Sequence, residues 1–140
     1  MENQNLKFDF VFLGQSVLKY QVPLDIFATI NQIYEQNFHN LAPANGQLVG
    51  KIENEHSLFY HGQDQSKMKN HNMLPTNVTD YFMTVFKHYL AFNKIRDYET
   101  HLNSIWVNEM KQHEYNPAHV HRGMLFTGLS SVMILKMPST

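Results

Sequence analysis

Apolar residues recur along this chain with two distinct periods, and the period changes near residue 100. Phe8–Leu13 and Val17–Val22 read as extended, with Gly14-Gln15-Ser16 as a bend between them. Pro23 suits a first helical turn, where its missing N–H is harmless. Ile26, Phe27, Ile30, Ile33, Tyr34 and Phe38 follow at helical spacing and predict a helix from about Pro23 to His39. A second apolar stripe, Val78, Tyr81, Phe82, Val85, Phe86, Tyr89 and Leu90, predicts a helix over about 77–95. Asn77 is its expected cap, with Asp80 three residues on in the manner of a capping box.

Between the two helices the pattern is weaker. Ala-Pro-Ala-Asn-Gly at 42–46 is turn chemistry, Gln47–Ile52 and Ser57–Tyr60 are short candidate strands, and Gly62–Asn72 is polar enough for an exposed loop. From His101 onward the period is two. Leu102, Ser104, Trp106, Asn108 and Met110 share one face, and Asn103, Ile105, Val107 and Glu109 share the other. Leu129–Met137 is a β-rich, mostly apolar run closed by Pro138. Helices first and strands last predict an α+β layout in which helices buttress one side of a sheet.

Length and composition narrow the class. A chain of 140 residues with 43% hydrophobic residues, 10 Phe and 7 Tyr can bury an aromatic core as one domain, and it is not disordered in composition. The formal net charge of −1 gives no footprint for nucleic acid or an anionic membrane. With no cysteine, thiolate catalysis, disulfides and Cys-ligated metals are excluded, which fits a cytoplasmic setting. The polar start at Met1–Asp9 is not a signal peptide, and no apolar run approaches a membrane span. The sequon Asn77-Val78-Thr79 is read as a helix start.

The chemistry concentrates in Tyr115-Asn116-Pro117-Ala118-His119-Val120-His121. Residues at i and i+2 of an extended segment point to one side, so His119 and His121 can converge on one cation. The alternative is a pair of surface histidines flanking a buried valine. Asn116-Pro117 fixes the direction of the segment before the pair, and Gly123 and Gly128 allow close turning after it. Trp106 reads as core, yet Asn108 on the same face points to a polar cavity. Tyr115 is either a phenol aimed at a ligand or a half-buried ring. Ser130 and Ser131 read as strand-edge packing. His113 and Glu114 precede the bend and are not expected to be ligands. No phosphate-binding glycine loop, GxSxG elbow or HExxH is present.

Ile105-Trp106-Val107-Asn108, the 115–121 segment and Leu129–Pro138 together resemble the Fe(II)/2-oxoglutarate-dependent oxygenase superfamily, and within it the oxygenases carried by marine bacteriophages. The likeness extends to Leu41-Ala-Pro-Ala-Asn and Asn54-Glu55-His56-Ser57. It implies a double-stranded β-helix (a cupin-like jelly roll) with helical support over about 1–95 and strands over about 101–138. It also implies Fe(II) held by two histidines and a carboxylate, and 2-oxoglutarate as a co-substrate that yields CO₂ and succinate while the prime substrate is hydroxylated. His119 matches the first metal histidine, and His121 stands where many relatives have the carboxylate of H-x-D. Trp106, Asn108 and Tyr115 match positions that line the co-substrate pocket.

Two features of such enzymes, a distal metal histidine and an arginine for the 2-oxoglutarate carboxylate, have no counterpart at matching places. Arg96 and Arg122 are the only arginines. The expectation is therefore an incomplete jelly roll, truncated or completed by a second chain, and inactive alone. Two other functions fit the residues: a non-catalytic β-rich binding module, and a cupin-type metal enzyme without 2-oxoglutarate in which Glu109, Glu114 or His113 folds round as a ligand.

Overall fold

The computed structural model describes residues 6–12, 16–44, 50–60, 73–119 and 128–138. It is a mixed helix-and-sheet protein with two small antiparallel sheets and, among the described residues, no closed barrel. Strands β1 (Phe8–Phe12) and β2 (Ser16–Tyr20) form one sheet. Strands β3 (Ala42–Pro43), β4 (Asn54–Tyr60) and β5 (Ser104–Glu109) form the other, with β4 central. Helix α1 covers Leu24–Asn37 and runs into a short 3-10 turn at Phe38–Asn40, and helix α2 covers Thr76–Phe92. Among the described residues no helix is long and apolar enough to cross a membrane.

Both helices follow the periodicity of the sequence. In α2 the predicted stripe supplies the buried Val78, Tyr81 and Leu90, and in α1 it supplies Ile26 and Ile30. The start of α2 differs from expectation. Pro75 occupies the cap position without a side-chain cap, so Asn77 already lies inside the helix. Proline needs no N–H partner there, and its fixed φ is already close to helical. Ala42 and Pro43, predicted as turn, pair with Ser57 and His56 instead. A proline is tolerated there because β3 is an edge strand.

The chain divides into two compact units. The first contains β1, β2, the opening of α1 and Pro75–Leu102. In its hairpin Phe8 lies opposite Tyr20 and Phe10 opposite Leu18, so these four share a face, while Asp9 and Lys19 make an opposite-charge pair on the other. The apolar face meets the end of α2: Phe8 packs on His88 at 4.7 Å, and Phe10 on Phe92 at 5.4 Å, between ring centres. The Tyr20 hydroxyl is hydrogen-bonded to His88 Nδ1 at 2.7 Å, and Tyr89 Oη donates to the Ser16 carbonyl at 2.9 Å. Ser16 Oγ also donates to Asn93 Oδ1.

The second unit contains the end of α1, the β3–β4–β5 sheet and the segments flanking it. Its buried apolar residues are Leu41, Ile52, Leu58 and Leu74. One sheet face is covered by the end of α1 and the 3-10 turn. The Phe38 ring lies 4.7 Å from His56 and the Tyr34 ring 6.2 Å from it, and Tyr34 Oη donates to Glu109 Oε2 at 3.4 Å.

Burial raises the Tyr34 hydroxyl to about 12, helped by the Glu109 charge, and burial raises Tyr20 to about 12 as well, helped by Tyr81 and Tyr89. Because both folded values exceed the ordinary 10.0, the stability these groups contribute is intact below that pH and is lost as pH climbs toward 12. A phenolate absorbance titration should therefore show a late-ionising fraction of the seven tyrosines, reduced in both Tyr34→Phe and Tyr20→Phe. A single common transition near 10 in the folded protein would contradict the packing described.

Leu129–Met137 departs from its predicted strand. None of residues 128–138 is assigned to a ladder. Val132 is 92% exposed, and Ile134 and Met137 are also exposed. Alternation survives, since Met133 and Leu135 are half-buried between exposed neighbours. A strand needs a partner's N–H and C=O groups as well as a suitable pattern, and this run has none in a ladder. Ser130 and Ser131 are likewise exposed rather than packed at a strand edge. Of the other predictions, residues 14 and 15 of the bend at 14–16, residues 47–49 of the strand at 47–52 and the loop at 62–72 lie outside the described residues.

Candidate functional site: the Glu55–Trp106 face of the second sheet

Cross-strand register decides which side chains share this face. Glu55 lies opposite Asn108 and Ser57 opposite Trp106, so these four project to one side. Asn54 lies opposite Glu109 and His56 opposite Val107, and they take the side packed on α1. The predicted pairing of Trp106 with Asn108 on one face is thus present, and β4 brings Glu55 and Ser57 to it. Trp106 is partly buried rather than a closed core residue, and Asn108 is exposed.

Glu55 is the residue that the sequence reading passed over as a donor. It is only 7% exposed, and its Oε2 atom is buried with no hydrogen-bond partner among the described residues. Burial pushes its carboxyl above the ordinary range, while the Coulombic influence of the His119 ring pulls it back down. His119 therefore lies within Coulombic reach of this carboxylate.

The segment carrying His119 is stapled to the start of β4. Lys51 and Tyr115 exchange backbone hydrogen bonds of 2.9 and 3.0 Å. The Glu114 carboxylate accepts from the Glu53 N–H at 3.0 Å and the Lys111 N–H at 2.7 Å, which holds it below the usual carboxylate range. Lys111 Nζ reaches Glu53 Oε2 at 3.1 Å. Gly50 permits the close approach, because a Cβ there would lie 2.8 Å from Pro117 Cδ and 3.0 Å from Asn116 Cα.

His119 is exposed, and its Nδ1 lies 2.8 Å from the Pro117 carbonyl oxygen. A carbonyl can only accept, so Nδ1 carries a proton, and in the neutral form of the ring Nε2 is then the nitrogen with the lone pair. That is the tautomer in which backbone-oriented histidines present Nε2 to metals. His121 lies outside the described residues. Tyr115 is 57% exposed and engages the structure through its backbone.

The residues considered as ligands of a cupin without 2-oxoglutarate are spread over three places. Glu109 accepts from Asn54 Nδ2 at 3.1 Å on the helix side, Glu114 binds two backbone N–H groups, and His113 sits in the turn after β5 with φ of 69°. Among the described residues no group of three or more His, Asp or Glu is placed to hold a metal ion. Among the described residues, Glu55 and His119 are two such donors within Coulombic reach of one another.

No family model matches the chain, and neither a curated protein nor a solved structure matches it.

Proposed function

We propose that this chain carries the metal-bearing face of an Fe(II)- and 2-oxoglutarate-dependent oxygenase. The observation that carries the reading is the division of the β4–β5 sheet: one face is packed on α1, and the other collects Trp106, Asn108, Ser57 and the buried Glu55 beside His119. A jelly-roll oxygenase needs such a division, with helices on one side and the reaction site on the other. The orphaned Oε2 of Glu55 and the tautomer of His119 fit a divalent cation, and imidazole with carboxylate is a donor set suited to Fe(II). Bound there, Fe(II) would supply the redox chemistry coupling loss of CO₂ from 2-oxoglutarate to hydroxylation of a second substrate.

In this reading His119 and His121 hold the metal, and Trp106, Asn108 and Tyr115 line the co-substrate pocket. The Asn108 amide offers donors to a carboxylate, and Trp106 offers an apolar wall that limits water. The exposed run Leu129–Met137 is the place where further strands would add.

The test titrates metal-free protein with Mn(II), a redox-quiet substitute for Fe(II), and then with 2-oxoglutarate. Binding of 2-oxoglutarate is expected only when metal is present, and His119→Ala should weaken Mn(II) binding by at least about tenfold. Binding of 2-oxoglutarate that ignores the metal would sink the reading.

A further inference from the structure

We propose that Glu55 is a carboxylate ligand to the same divalent cation as His119, so that the cation lies between β4 and the segment following Pro117. The inference rests on the metal reading of His119 given above and adds a donor that the H-x-H sequence does not contain.

The starting point is the cost of the Glu55 environment. A carboxylate buried without a hydrogen bond is expensive, and folded proteins retain such groups where a cation or a function compensates. Glu55 is more than nine-tenths buried, and Oε2 has no partner among the described residues. The other carboxylates around the stapled segment are satisfied: Glu53 by Lys111, Glu109 by Asn54 and Tyr34, and Glu114 by two backbone N–H groups. Glu55 alone among these four keeps a buried oxygen for a ligand.

Placement supports the same assignment. Glu55 sits on the central strand, held by a β3-side backbone bond (Ala44 N–H to the Glu55 carbonyl, 2.8 Å) and by pairing with Asn108. The staples at Lys51–Tyr115 and Glu53–Glu114 keep the His119 segment beside that strand. A strand-borne carboxylate and an imidazole oriented through Nδ1 on the segment bridged to the start of that strand form a preorganised half-site of mixed oxygen and nitrogen character. The anionic donor also balances the charge of the cation.

The experiment measures Mn(II) binding to the metal-free full chain by loss of the free-ion magnetic resonance signal. Wild type, Glu55→Gln, His119→Ala and the control Glu53→Gln are compared. Glu55→Gln and His119→Ala should each weaken binding at least about tenfold, and Glu53→Gln should stay within about twofold. The metal-free Glu55→Gln protein should unfold at the same urea concentration as wild type or higher, because a neutral amide replaces a buried carboxylate. Co(II) absorption provides a second measurement: its ligand-field bands should shift between wild type and Glu55→Gln at saturating metal. If Glu55→Gln binds Mn(II) as wild type does, with an unchanged Co(II) spectrum, while His119→Ala does not bind, the Glu55 assignment is overturned and the metal reading of His119 survives. If wild type binds no Mn(II), or if His119→Ala binds it normally, the metal reading fails and this inference fails with it.

Discussion

Gly50→Ala should destabilise the protein by about 2–6 kcal/mol and weaken metal binding at the same time. The added methyl would fall on the Tyr115 carbonyl oxygen, the Pro117 ring at 2.8 Å and Asn116 Cα at 3.0 Å. Two of these three obstacles are backbone atoms, which cannot rotate away as a side chain would. Relief requires the 50–51 and 115–117 segments to separate. Separation breaks the reciprocal Lys51–Tyr115 hydrogen bonds, each contributing about 0.5–1.5 kcal/mol net, on top of an overpacking cost of about 1–3 kcal/mol. His119 follows two residues after Pro117 and moves with it. Urea unfolding gives the first effect and Mn(II) titration the second. Lys51→Ala is the matched control, because the side chain is exposed and the backbone bonds remain. A Gly50→Ala protein within about 0.5 kcal/mol of wild type would show that the two segments are not locked together as described.

The same close approach shows what one sequence can and cannot disclose. Both helices were legible because their burial pattern is local: Val78, Tyr81 and Leu90 repeat on one face whatever surrounds them. The partner of the Asn116-Pro117 segment was not legible, because contact between Gly50 and Pro117 joins residues distant in sequence. Glu55 escaped notice for a related reason. Asn54, Glu55 and His56 look polar and loop-like in isolation, and the predicted strand began only at Ser57. The structure starts β4 at Asn54, since β3 and β5 supply the ladder on either side. Extending the alternation of β4 backwards from Ser57 would have placed Glu55 on the same face, but its opposition to Asn108 needs the register between two strands. Leu129–Met137 shows the converse. Its alternation correctly marks Met133 and Leu135 as the more sheltered side chains, yet alternation does not provide a neighbouring strand.

Leu58→Ala should cost about 2–5 kcal/mol, well beyond the effect of any exposed apolar residue in the chain. Leu58 has no solvent exposure, and it sits on the central strand at the register shift between Ser57 and Phe59. A shift in register bends a strand and fixes how its side chains enter the interior. The Met73 N–H also donates to the Leu58 carbonyl at 3.0 Å, so the backbone is anchored and cannot collapse into the space left by the truncated side chain. A site that cannot collapse falls at the costly end of the large-to-small range. The loss is felt more because the other buried apolar residues described in this unit are only Leu41, Ile52 and Leu74. Leu58→Met, which nearly conserves volume, should cost less than about 1.5 kcal/mol, and Val132→Ala at a 92% exposed position should stay within about 0.5 kcal/mol. Urea midpoints for the three variants check the order. Equal losses for Leu58→Ala and Val132→Ala would refute the enclosed position of Leu58. Because Glu55 and Ser57 precede Leu58 on the same strand, a fall in Mn(II) affinity in folded Leu58→Ala would also mean that core packing beneath β4 holds the carboxylate in place, linking the stability of the second unit to the metal chemistry proposed for Glu55 and His119.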